Sequence, residues 1–179
     1  MIVELQLNGR AVRDDVAPQA LLLDYLREQH GLTGAKRSCD VQVCGTCTVL
    51  VDGLPASSCC TLLADVDGQD VLTIEGFAEL PEFERFERAF VDHAALQCGF
   101  CTGGMLLTTK FLLDEGQLAT DEEIRRGLSG NLCRCTGYHG IVEAVAELAR
   151  AGKRLDAMKR YRELTNASAD EARSVIQGL

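Results

Sequence analysis

Apolar and polar residues alternate through IVELQLNGRAV (Ile2 to Val12) about Asn8-Gly9, a strong signal for a two-residue hairpin turn. TVLVDG (Thr48 to Gly53) runs β-branched residues into a second such pair, Asp52-Gly53. VLTIEG (Val71 to Gly76) reads as a third short strand. Between the two hairpins, ALLLDYLREQ after Pro18 predicts one helix with Leu22, Tyr25 and Leu26 on a common face. Strands with one packed helix predict a small α+β unit.

From about Ala78 the apolar period lengthens. Phe83, Phe86, Phe90 and Ala94 recur at three- and four-residue steps, a helix stripe expected in a core. Thr102 to Leu113 and Tyr138 to Ala151 carry two more helical patterns. Thr120-Asp-Glu-Glu reads as a capping box that opens a shorter helix over Glu122 to Leu128. These predict an all-α four-helix bundle. The chain therefore divides into an α+β unit (1–77), a helical unit (78–152) and a C-terminal extension (153–179).

Composition removes several functions. With 179 residues and 46% apolar content there is material for ordinary cores, and no apolar run approaches the length of a membrane span. A net charge of −9 argues against a nucleic-acid partner. MIVELQLNGR has an acid at Glu4 and no basic start, unlike a secretory signal, so the expected location is cytoplasmic. The charge is uneven: residues 1–150 carry 12 basic and 23 acidic side chains, residues 151–179 carry 6 and 4. No glycine-rich phosphate-binding pattern lies in a strand–helix context.

Nine cysteines carry the chemistry. In a reducing compartment, clustered cysteines point to metal more often than to disulfides. Cys39, Cys44, Cys47 and Cys59 follow the C-x4-C-x2-C spacing, with a later fourth thiol, of plant-type [2Fe–2S] ferredoxins. Cys98, Cys101, Cys133 and Cys135 form a second group, C-x2-C-x31-C-x-C. Each of its pairs precedes a predicted helix, whose N-terminal N–H groups favour negative charge. Structural zinc also takes four thiolates, so a zinc-stabilised interaction module stands as an alternative. His30, His93 and His139 are not needed as ligands, because both groups already have four cysteines. The x11 spacing selects Cys59 over its neighbour Cys60. In extended chain Cys60 would point to the opposite face as a small buried hydrophobe.

These motifs resemble the small iron–sulfur subunits of the molybdenum hydroxylases, the xanthine oxidase and aerobic carbon monoxide dehydrogenase family. The resemblance rests on CGTCTVLVDG (Cys44 to Gly53), TIEG (Thr73 to Gly76), QCGFCTGGM (Gln97 to Met105) and GNLCRCTGY (Gly130 to Tyr138), and covers Met1 to about Gly152. It implies two [2Fe–2S] clusters, one in a ferredoxin-like β-grasp domain and one in a helical bundle. It also implies a large subunit with molybdopterin, a further subunit with FAD, and an (αβγ)2 hetero-oligomer. The small subunit would relay electrons from the molybdopterin to FAD or to an external acceptor and contribute no catalytic residue, with Gln97 and Cys135 against the pterin. A two-cluster ferredoxin acting alone is the alternative within this class.

The chain departs from the family pattern at Gln42, where glycine is frequent, at Thr46, where alanine is usual, and at Gly103, where proline is common. None of these removes a ligand. Beyond the resemblance, KRLDAMKRYR (Lys153 to Arg162) packs five basic residues into ten. It reads either as a solvated helix or as a clamp on the acidic surface of a partner subunit.

Overall fold

The computed structural model describes residues 1–116, 120–165 and 167–177. Strands β1 (Ile2–Leu7) and β2 (Arg10–Asp15) form the first hairpin. β3 (Thr48–Val51) and β4 (Leu54–Ser57) form the second. Both turns have the predicted chemistry. Asn8 and Gly9 have φ of 51° and 75°, Asp52 and Gly53 of 48° and 80°, the pair of positive angles that a type I′ turn requires. β5 (Asp70–Leu72) then enters between them, giving the order β2-β1-β5-β3-β4 with β1 and β5 parallel and the other pairs antiparallel.

β1 buries Val3, Leu5 and Leu7 and exposes the residues between them. Against that face lies α1 (Leu22–Asp24), which widens into a π-helical turn over Tyr25–Gln29. Leu22, Leu23, Tyr25 and Leu26 complete the core with Val49 and Val71. The predicted helix thus starts later than Pro18 suggests. Ala17 to Ala20 close a turn, Leu21 is extended in a bridge with Leu62, and the Leu22 and Leu23 amides donate to the Thr61 and Ser58 carbonyls, so no helix forms before Leu22.

The predicted strand over Val71 to Gly76 also ends early. At Thr73 the chain leaves the sheet and turns into α2 (Ile74–Ala78). Polar side chains make that turn. Asn8 Oδ1 accepts from the Thr73 amide at 2.8 Å, and Thr73 Oγ1 donates to Glu75 Oε2 at 2.7 Å. A Cβ at Gly76 would lie 2.2 Å from Asn8 Oδ1, so only glycine lets the turn close.

The helical part comprises α3 (Phe83–Asp92), α4 (Thr102–Asp114), α5 (Asp121–Gly127) and α6 (His139–Thr165). Phe86 and Phe90 are buried as predicted, and Phe77 stacks edge-on against Phe83 and Phe86 at 5.2 and 5.0 Å. Ala94 does not extend the stripe: the helix ends before it, and its φ is 49°. The capping box at Thr120 is formed, with Thr120 Oγ1 accepting from the Glu123 amide at 3.3 Å. His93, just past α3, meets Glu147 and Glu143 of α6 at 2.7 and 3.5 Å. His139 opens α6 and is exposed.

The two cores share β3. Val49 points into the core beneath the sheet and Leu50 into the helical core, because neighbouring strand residues face opposite ways. α6 runs past Gly152 without a break, and α7 (Ala169–Gln177) packs back on it with Ala172 buried. The side chains at 154–156 and 159, within the basic run, lie outside the described residues. Among the described residues no helix is long and apolar enough to cross a membrane.

Candidate metal centres

The loop from Cys39 to Cys47 is wound by left-handed residues: Asp40, Gln42 and Gly45 have φ of 52°, 58° and 67°. Such alternation turns successive N–H groups inward and makes an anion-binding concavity. The amides of Val43 and Cys44 both donate to Cys39 Sγ at 3.4 Å. Backbone N–H groups of Val41, Val43 and Cys44 hold the Cys39 thiol down at about 6. Arg37 steadies the loop from outside by pairing with Asp24 and, at 2.8 Å, with Asp40. Gln42 occupies its left-handed position at a cost that glycine would not have.

Cys47 and Cys59 approach the same position from the buried side, within the sheet's core. Burial pushes the Cys47 thiol up to about 12, and the Cys59 sulfur beside it adds to the shift. Cys60 departs from expectation. It is exposed, not buried, and its Sγ lies 3.6 Å from Cys59 Sγ rather than across the chain. The reason is local: residues 58–60 form a turn, closed by Cys60 N–H to the Ser57 carbonyl at 2.9 Å, so strand alternation does not apply.

The second group assembles at the start of α4 and before α6. Cys98 and Cys135 bring their sulfurs to 3.6 Å. Burial pushes Cys101 up to about 12, and its partner in that environment is Cys133. Burial also raises Cys133, but the Thr136 hydroxyl at 3.1 Å and the Thr136 amide at 3.5 Å outweigh it and leave the thiol below its ordinary value. Tyr138 braces this loop: its hydroxyl accepts from the Cys133 amide at 2.8 Å and donates to the Asn131 carbonyl at 3.2 Å. A cleft of about 650 Å³ opens here, lined by all four cysteines and by Cys44 and Thr46 of the first loop. Gln97, directly before Cys98 in the chain, is exposed.

The donor set fits [2Fe–2S] clusters. Two thiolates on one tetrahedral metal, with bonds of about 2.3 Å, stand about 3.8 Å apart. The Cys98–Cys135 separation is close to this. Cys101 and Cys133 interact beside it, as do Cys39 with Cys44 and Cys47 with Cys59 in the first group, where Cys60 also stands 3.6 Å from Cys59. Thiols in twos are what a two-iron cluster needs, one pair per iron. Among the described residues, no group of three Cys, His, Asp or Glu side chains stands as a single-ion site.

Comparison with known proteins agrees with this geometry. Residues 5–73 match the model of a 2Fe-2S iron-sulfur cluster binding domain, and residues 73–146 that of a [2Fe-2S] binding domain. The nicotinate dehydrogenase small FeS subunit of Eubacterium barkeri is 46% identical over 143 residues, 80% of this chain and 91% of the relative. The xanthine dehydrogenase iron-sulfur-binding subunit of Escherichia coli O157:H7 is 42% identical over 147 residues, 81% and 92% of the two chains. This chain belongs to the small iron–sulfur subunits of the molybdenum hydroxylases. The crystal structure of quinoline 2-oxidoreductase from Pseudomonas putida 86 matches with a TM-score of 0.80 at 42% identity, over 86% of this chain and 96% of that one.

The small subunit carries two [2Fe–2S] clusters and acts in electron transfer within an oxidoreductase complex. Its supporting residues were less visible in the sequence than its cysteines. Asn131 is buried and donates from Nδ2 to the Gly45 carbonyl at 3.2 Å. Gly104 is packed so tightly that a Cβ would lie 2.1 Å from the Gly45 oxygen. Both hold one cysteine loop against the other, and nothing in the local sequence names the residue across the gap.

Proposed function

We propose that Cys39, Cys44, Cys47 and Cys59 hold the first [2Fe–2S] cluster and Cys98, Cys101, Cys133 and Cys135 the second. Electrons enter at the second and leave from the first. Each cluster supplies one-electron storage, so the two electrons of a substrate oxidation pass singly. In this reading residues 1–77 are a β-grasp ferredoxin domain, 78–152 a four-helix bundle and 153–179 an extension. The reading is carried by one contact: the Leu132 amide donates to the Cys44 carbonyl at 2.8 Å. Cys44 and Cys133 are thereby joined through a single hydrogen bond and a short length of backbone.

The chain's own residues then have distinct tasks. Inward N–H groups at Cys39 and the Thr136 hydroxyl at Cys133 stabilise bound thiolate. Burial of Cys47 and Cys59 keeps water from one side of the first site. Phe100 and Leu132 are exposed beside Cys98 and Cys135, an apolar rim suited to a partner surface. Cys135 on that rim and the exposed Gln97 would face a pterin held by a large subunit. The first site would face an FAD-binding subunit, in a cytoplasmic (αβγ)2 assembly.

Iron analysis and EPR of the reduced protein test this. About four irons per chain and two distinct S = 1/2 signals are expected. Zinc without iron would sink the reading in favour of an interaction module. Isolation from its native cell without larger chains would favour a ferredoxin acting alone.

A further inference from the structure

The hydroxyl of Thr46 sits where the first cysteine loop meets the wall of the second site. Its Oγ1 lies 3.3 Å from Cys44 Sγ and 3.0 Å from the Lys36 carbonyl oxygen. The side chain is buried, and it lines the same cleft as Cys98, Cys101, Cys133 and Cys135. Its placement is fixed from three directions. The branched Cβ restricts χ1, the Thr46 carbonyl accepts from the Lys36 amide at 2.9 Å, and the hydroxyl meets the Lys36 carbonyl in return.

A threonine hydroxyl has one proton to donate. Here it has two acceptors, the Lys36 carbonyl and the Cys44 sulfur. While Cys44 is a thiol, its own S–H can serve the contact with Thr46. Bound to metal as a thiolate it has no proton, and the Thr46 hydroxyl becomes the only donor between the two atoms. Hydrogen bonds to charged acceptors are stronger than those to neutral ones. The contest between carbonyl and sulfur therefore moves toward the sulfur as negative charge on it grows, which is the change that one-electron reduction brings.

We propose that Thr46 is a positioning residue that raises the reduction potential of the first cluster through a hydrogen bond to Cys44 Sγ. An interaction that strengthens on reduction favours the reduced state, and hydrogen bonds to cluster sulfurs are a recognised control of potential. Because the Cys44 carbonyl also carries the link to Leu132, Thr46 acts on the ligand that connects the two sites. It thereby adds to the driving force for transfer from the second cluster to the first. This inference rests on the reading that Cys44 ligates the first cluster.

The test is an EPR-monitored redox titration of the full chain with both clusters in place, comparing Thr46→Val, Thr46→Ala and Thr46→Ser with the unsubstituted protein. Valine keeps the branched shape and removes the hydroxyl. Alanine is smaller, and so keeps the test open if the valine variant does not assemble. Serine keeps a donor. The expected result is a several-fold change in the first cluster's reduction equilibrium toward the oxidised form in Val and Ala, a tenfold change being about 59 mV for one electron. The second cluster should stay unchanged, and serine should stay near the unsubstituted value. An unmoved first potential in both Val and Ala overturns the proposal. So does an equal shift of both clusters, or a serine variant that shifts as far as valine, since either indicates packing. If the unsubstituted protein lacks the first signal altogether, it is the ligand assignment that has failed, and the inference falls with it.

Discussion

The sulfurs of Cys59 and Cys60 stand 3.6 Å apart on one turn, the former buried and the latter exposed. The same separation divides Cys98 and Cys135, which come from the loops before α4 and α6. Cys60 is therefore within reach of the position Cys59 fills. Cys60→Ser should retain about four irons per chain and both EPR signals. In Cys59→Ala the neighbouring thiol is expected to substitute, so the first signal persists with altered g values. The double variant Cys59→Ala/Cys60→Ala should lose that signal alone. Loss of the first signal on Cys60→Ser would reverse the assignment.

Thiol reactivity in the metal-free chain should follow the local backbone. Cys39 is held down at about 6 by inward N–H groups, whereas burial pushes Cys47 and Cys101 up to about 12. The thiolate is the attacking species. Near pH 7 Cys39 is mainly thiolate, and its alkylation rate should level off above that pH. Cys47 and Cys101 should remain slow and still gain with each further unit of pH. Peptide mapping after timed iodoacetamide pulses at several pH values reads this order directly; equal rates would contradict it.

Gly104→Ala should force the two cysteine loops apart. Its new Cβ would meet the Gly45 carbonyl oxygen at 2.1 Å, and backbone on both sides cannot swing away. Alanine gains about 1 kcal/mol of helix propensity over glycine, but overpacking of this kind costs about 1–3 kcal/mol. A lower urea midpoint and slower electron transfer between the clusters are expected. Gly130→Ala is the control, since a Cβ there meets nothing within 4 Å.

Truncation after Gly152 should leave both clusters in place. Among the described residues the helical core's last member along α6 is Ala149, and every cysteine lies before it. Iron content and both EPR signals should match those of the full chain, with α7 lost together with the buried Ala172. Co-purification of the truncated chain with larger subunits then decides between the solvated-helix and clamp readings of the basic run. Unchanged recovery removes the clamp.

Legibility followed the range of the interactions involved. Asn8-Gly9 and Asp52-Gly53 announced their turns because a type I′ turn depends on the two residues within it. The capping box at Thr120 is equally local. The early end of the strand at Thr73 is not legible locally, because one of the groups that turn the chain there, Asn8, lies 65 residues away in sequence. The side Cys60 takes is not legible in the same way, because alternation holds only in extended chain and a turn intervenes.

The sequence by itself determined the number of thiols, their spacing and the two hairpins, since each depends on residues close along the chain. Tertiary structure alone decided how the two cysteine loops meet. The contacts from Leu132 to Cys44, from Asn131 to Gly45 and from Gly104 to Gly45 join residues from different elements. They form only because β3 places Val49 in one core and Leu50 in the other, which holds the two units at a distance where backbone can touch backbone.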